Sequence, residues 1–360
     1  MDKRINPIQM LTWNHLKVNE AGEKFELAEV PVGGFTEPDT KVTADKAGIL
    51  LEKDIQNDTV SAVGEYYDRY VTENHNLAYV VTADGDTGTV KEETTLTAAQ
   101  PAAVILTGID AKQGSSITLI QVLRSDEEVE GMSASLTKIR AGKDSRVQLI
   151  QVCLAGDRTR RWSAVSVTEE EGAKVDVIRV ELGGVTSAAG SRSRLLGDGS
   201  DYTIKTVYFV DDGRYADLND TAEFYGKETH ADIQAAGVLS GTAHKVLRET
   251  VDFKRGAVHA VGHEGEDVVM FGEGSVNKTT PLILCGEEWV EGQHAAVTSR
   301  LDPKMLYYLE SRGLSPAQAK RIMIDAKITP VTDLIPDEEL RSQISDRVGR
   351  RLDLIDEFTV

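Results

Sequence analysis

The middle of the chain alternates. From about Ala78, short runs rich in Val, Ile and Thr follow one another: "AAVILTGI", "SITLIQVL", "RVQLIQVCL", "VDVIRVEL", "YTIKTVYFV", "PLILCG". In "VDVIRVEL" Ile178, Val180 and Leu182 fall on one face and Arg179 and Glu181 on the other, the period-two pattern of a strand. Gly, Asp, Ser and Asn fill the gaps as turn residues. Comparable strand starts fall near Val147, Val175, Thr203, Asp232 and Val258, a repeat of roughly 26–29 residues. No strong helical pattern separates them, so a βαβ sheet is excluded. Even spacing of short strands leaves a sandwich, a propeller or a parallel β-helix. Few aromatic residues weaken the first two.

The ends of the chain read differently. Residues 51–74 carry Val60, Val63, Tyr66, Tyr67 and Tyr70 at partly helical spacing, and "NPIQMLTWNHLKVNE" reads as a short helix or a docking strap. In "LDPKMLYYLESRG" Asp302 is the expected N-cap, Pro303 the first helical residue and Gly313 the stop. In "LSPAQAKRIMIDA" Ser315 and Gln318 make a capping box. Leu340, Ile344, Val348 and Leu352 then step by four along a third helix. The expected organisation is a mixed or helical segment over 1–77, an all-β core over 78–300 and a helical region over 301–360, a handle for a partner.

Charge narrows the function. There are 59 Asp and Glu against 40 Lys and Arg, a net charge of −19. That argues against nucleic acid, which needs a basic footprint, and against anionic lipid. Two cysteines form no disulfide framework and suit a reducing cytosol. The first residues lack the apolar core of a signal peptide, and no stretch approaches a bilayer span. The expectation is a cytoplasmic protein.

Candidate chemistry is sparse. His259, His263, Glu264 and Asp267 crowd together, but Gly262 and Gly265 break any metal-binding helix. "ADGDTG" (83–88) and "LGDGSDYTI" (196–204) read as turns, not calcium loops. No phosphate cradle and no nucleophile elbow is present. Cys153 lies in an apolar run and reads as a core thiol. Cys285 precedes His294 by a short acidic stretch, a set that could bind iron or zinc.

Two ordered motifs add a resemblance. "VNKTTPLILCGEEWVEGQHAAV", followed by "LDPKMLYYLESRGLS", resembles the C-terminal part of the SufB/SufD family, the scaffold subunits of SUF iron–sulfur cluster assembly. "TWNHLKVNE" is similar to the opening of some SufD-type members. The resemblance implies a right-handed parallel β-helix with flanking helical regions, and a scaffold, not an enzyme. It implies a SufC-type ABC ATPase bound around Tyr307, Tyr308, Leu309, Arg312 and Gly313. It implies a second chain, SufB-type or a copy of itself, paired through strands holding Leu282, Leu284, Gln293 and His294. His294 takes the place of a family His near that interface. No cofactor is expected to be held tightly by the chain alone; a transient iron–sulfur cluster would sit at the shared interface.

The departures favour SufD over SufB. Gly292 stands where many SufD members carry Cys, and no SufB-type cysteine segment is evident. Cys285 aligns with a strand position and is the weaker ligand candidate. A cluster normally takes several thiolates, so a SufB chain would supply them. A homodimeric scaffold acting with SufC alone is the rival reading. A β-helix carbohydrate-active enzyme, which needs clustered carboxylates, is the outsider.

Overall fold

The computed structural model describes residues 3–51, 57–271, 273–300 and 303–357. Two antiparallel strands, β1 (Thr40–Ala44) and β2 (Gly48–Leu51), precede helix α1 (Glu65–Asn74). The chain then winds through β3 (Leu77–Ala83), β4 (Asp86–Leu96), β5 (Ala102–Ala111), β6 (Ser116–Ser125), β7 (Met132–Ala141) and β8 (Arg146–Leu154). It continues through β9 (Arg160–Glu169), β10 (Lys174–Glu181), β11 (Thr186–Leu195), β12 (Asp201–Val210), β13 (Tyr215–Phe224) and β14 (His230–Ser240). The last coils are β15 (His244–Phe253), β16 (Val261–Phe271), β17 (Val276–Cys285) and β18 (Glu291–Arg300). Helices α2 (Pro303–Ser311), α3 (Pro316–Thr332) and α4 (Glu338–Glu357) follow.

Even-numbered strands from β4 to β18 build one sheet and odd-numbered strands from β3 to β17 the other, all parallel to their neighbours. This is a parallel β-solenoid of about eight turns, two strands to a turn. Register is strict across the centre: Val147 faces Val175 and Val175 faces Tyr202. Thr203 faces Asp232, and Asp232 faces His263. Val258 was expected to start a strand; it lies instead in the turn before β16. The longer connection there, with His259 at φ 63°, delays the strand by several residues.

Identical side-chain positions stack from coil to coil, so one apolar residue per repeat makes a continuous ladder inside the bore. Tyr79, Leu119, Leu149, Val177, Ile204 and Phe253 belong to that internal cluster. Cys153 is among them; burial raises its thiol pKa, as fits an inert core residue.

The two outer faces are covered by the chain ends. On the odd-strand sheet the N-terminal strap and α1 pack over Trp162, whose indole N–H donates to the Phe25 carbonyl at 2.9 Å. The Tyr67 hydroxyl donates to Ser135 at 2.8 Å. Helix α1 is shorter than expected. Val60 and Val63 precede it, in a segment pinned by the Asn57 amide, which donates to the Ile139 carbonyl at 2.9 Å.

On the even-strand sheet α3 and α4 bury Ile324, Ile328, Leu340, Ile344, Val348 and Leu352 against Ile150, Ile178 and Phe209. Each such side chain contributes about 1.5–3 kcal/mol on burial. Arg351 is 2% exposed and donates to the Leu182 carbonyl and to Asp211, both at 2.7 Å. The expected handle is therefore not a free tail: α3 and α4 are bolted to the solenoid. The Ser315–Gln318 capping box forms, and Gly313 takes the left-handed conformation (φ 93°) after α2. Asp302 lies outside the described residues.

Candidate functional site

The two ends of the solenoid differ. At the start, β1 and β2 close both sheets antiparallel. At the finish, β17 and β18 end the two sheets as parallel strands; like β1 and β2, each has a neighbour on one side only. Residues 291–298 of β18 are all exposed. An unpaired edge is a ready template for another strand, and proteins usually blunt it with Lys, Pro or a bulge. In β17, Lys278 and Pro281 do this, and Pro281 removes one donor. In β18 the run "GQHAAVTS" between Glu291 and Arg300 carries no such device.

Alternation sorts the side chains of this last coil. A Cβ on Gly292 would meet Ile283 and Phe253, so Gly292 faces the bore. His294, two residues on, points the same way, and Gln293 points out. Ile283 packs on the internal cluster, which places Cys285 inward and Leu282 and Leu284 outward. The Asn277 amide donates across the mouth to Thr298 at 3.0 Å.

The mouth is thus lined by inward residues that no further coil covers. His294 and Cys285 are both exposed for that reason. Leu282 and Leu284 are half-buried and Gln293 is exposed, its amide donating to Glu291 at 2.7 Å. The acidic turn between the strands holds Glu287, whose carboxylate accepts from the Gly256 N–H at 2.9 Å. Backbone N–H groups of Gly256 and Glu288 hold its pKa down. Cys285 and His294 do not form a ligand set by themselves: among the described residues no three His, Cys, Asp or Glu side chains could hold one metal ion.

Below the mouth the bore turns polar. Lys245 and Tyr208 donate to the same Glu266 oxygen, and Thr279 donates to the other. Lys245 is fully buried, and burial lowers its pKa against the pull of Glu266. Glu264 and Glu249 are each 2% exposed, and burial raises the pKa of both, Glu264 to about 8. The Val251 and Leu282 backbone N–H groups lie toward the Glu264 carboxyl and lower its pKa a little, but neither oxygen makes a hydrogen bond of good geometry.

The histidines of the 259–267 stretch are dispersed by the same alternation. His259 sits in the turn, its N–H bonded to the Trp289 carbonyl at 2.6 Å. His263 faces out, its ring edge-on to His230 at 5.8 Å. Asp267 faces out and pairs with Lys327. Of the two stretches expected as turns, residues 84–85 and 196–200 bridge successive strands, with Gly85 and Gly199 at positive φ, while 86–88 and 201–204 open β4 and β12.

Helix α2, which packs on α3, leaves an aromatic face uncovered. Tyr307 is 73% and Tyr308 51% exposed, and the Arg312 guanidinium stacks over Tyr308 at 5.2 Å. Leu309 is half-buried; Arg312 and Gly313 are exposed. No helix among the described residues is long and apolar enough to cross a membrane.

Fold and site define the class: a parallel β-solenoid with an open, polar, histidine-bearing coil at its end. Residues 94–327 match the SUF system FeS cluster assembly, SufBD core domain. The chain belongs to the SufB/SufD family. It is 28% identical over 172 residues to the SufD of Bacillus subtilis (strain 168), covering 44% of this chain and 39% of that protein. It is 20% identical over 244 residues to the SufD of Escherichia coli (strain K12), covering 68% of this chain and 58% of that one. A SufBD-family protein of Mycobacterium tuberculosis (strain H37Rv) is 25% identical over 221 residues, covering 59% and 56%. The matched stretches thus span less than two thirds of each relative, and SufD proteins are among the most similar.

Proposed function

We propose that this chain is a SufD-like scaffold subunit for iron–sulfur cluster assembly, with no chemistry of its own. It pairs with a SufB-type chain by adding strands to the edge of β18, and it binds a SufC-type ATPase through α2. The observation that carries the reading is the last coil itself: β18 is an unpaired parallel edge, exposed over 291–298, with no Lys, Pro or bulge to blunt it. A strand edge of this kind binds by main-chain hydrogen bonds. The exposed Tyr307 and Tyr308 supply the aromatic anchors expected of a docking site. A nascent cluster is cargo at the shared mouth, with His294 as one neutral imidazole ligand or proton relay and thiolates coming from the partner. The chain works in a reducing, cytoplasmic setting. Closure of the ATPase pair would act on α2, the helix with the exposed aromatic face, because α3 and α4 are held to the solenoid.

Co-expression with SufB-type and SufC-type proteins, followed by mass determination, tests this. One three-protein complex is expected, losing only the ATPase when Tyr307 and Tyr308 are both replaced by Ala. A chain that binds neither partner contradicts the proposal. Association with SufC alone, as a pair of identical chains, replaces it by the homodimeric scaffold.

A further inference from the structure

One inward row of the even-strand sheet runs Val90, Leu119, Leu149, Val177, Ile204, Ile233, Glu264, His294. The first six are aliphatic and at most 1% exposed. The last two rungs break the ladder with a carboxyl and an imidazole. In-register neighbours on adjacent strands stand about 4.8 Å apart, a spacing that one ion can bridge. Their chemistry differs from that of the next polar row. Glu266 is satisfied by Lys245, Tyr208 and Thr279, whereas both oxygens of Glu264 are unpartnered. Across the bore Glu249 also leaves Oε1 unpartnered. An isolated buried carboxyl costs several kcal/mol, and no packing requirement explains why this position is not a seventh aliphatic residue.

We propose that Glu264 is the inner ligand, and His294 the outer ligand, of a single divalent cation taken in at the open mouth. The proposal rests on the reading of that mouth as a cargo site. The cation would displace the proton that burial keeps on Glu264 and release it to solvent; the carboxylate oxygen so freed and one imidazole nitrogen suit a borderline cation such as ferrous iron. Two donors from this chain leave the remaining positions to water or to the partner seated on β18. Binding by the chain alone is therefore weak, and tightens in the complex. Glu249, on the facing wall, adds a second carboxyl whose Oε1 is unpartnered.

The test uses the full purified chain, anaerobically, with Co(II) as the spectroscopic probe and Fe(II) as competitor. Wild type is expected to take up one Co(II) per chain, displaced by Fe(II). E264Q and H294A should each weaken binding at least tenfold, while H263A, whose side chain faces outward, should bind as wild type. E264Q keeps the side-chain volume and removes a buried acid, so its melting temperature should not fall; E264D, which withdraws the carboxylate by one methylene, should also bind less tightly. Wild-type affinity in E264Q and E264D, or no Co(II) uptake by the wild type, would overturn the proposal. The scaffold reading fails separately. An E264Q chain that still joins the SufB-type and SufC-type proteins but binds no cation supports both, whereas a chain that binds Co(II) at Glu264 yet joins no complex removes only the scaffold.

Discussion

Glu264 has two further carboxyls near it in the bore, Glu249 from β15 and Glu266 from its own strand, with Lys245 committed to Glu266 and His294 one strand outward. Burial lifts its pKa to about 8 from an ordinary 4.5. The folded protein therefore holds a proton here that the unfolded chain releases above pH 4.5. With more protons bound in the native state, stability falls as pH rises. The loss runs from about pH 4.5 to pH 8, by up to about 1.4 kcal/mol per pH unit, and levels off above. Urea unfolding across that range should show E264Q with a shallower decline than wild type; parallel curves would deny the buried proton. In the sequence His294 stood out through its motif, but Glu264 was grouped with His263 and Asp267, which face the opposite way. Only stacking the repeats reveals it, at the rung where six preceding coils place Val, Leu or Ile. That alignment was blurred by the longer turn around Val258, so the signal lay in the spacing and not in the local motif.

Strand β18 is the edge on which pairing can be tested. Its outward residue Val297 is 54% exposed, and a lysine there should cost the fold within about 0.5 kcal/mol, as exposed substitutions do. The same lysine on a pairing edge acts as a gatekeeper, so V297K should abolish association with the SufB-type chain while leaving the ATPase bound. Retained pairing in a mass measurement would move the interface elsewhere. The strands themselves were readable from alternation, and the C-terminal helices from their caps and four-residue steps. Two features were not. Helix α1 is shorter than its pattern because Val60 and Val63 mimic helical spacing, while Asn57 and Thr59 spend their side chains on Ile139 and Thr168. The fixed position of α4 was hidden too, since Arg347 and Arg351 look like surface residues until the Ala155 and Leu182 carbonyls accept from them.

A solenoid is nearly one-dimensional, each coil resting on its neighbours, so the two ends decide how the whole molecule meets others. Here both flanks are covered by the chain's own termini, and among the described residues the last coil and α2 present exposed faces. Period and resemblance together made the architecture legible; which faces stay exposed is a property of the three-dimensional winding. Amide hydrogen exchange reads that end directly. In the isolated chain, β18 (Glu291–Arg300) should exchange faster than the central strands, because its outer N–H groups have no partner in the sheet. On addition of the SufB-type and SufC-type proteins, β18 should become strongly protected while β1 and β2 stay unchanged. Protection that appears on β1 and β2, or an unchanged β18 in a complex of verified mass, would rule out pairing at the β18 edge.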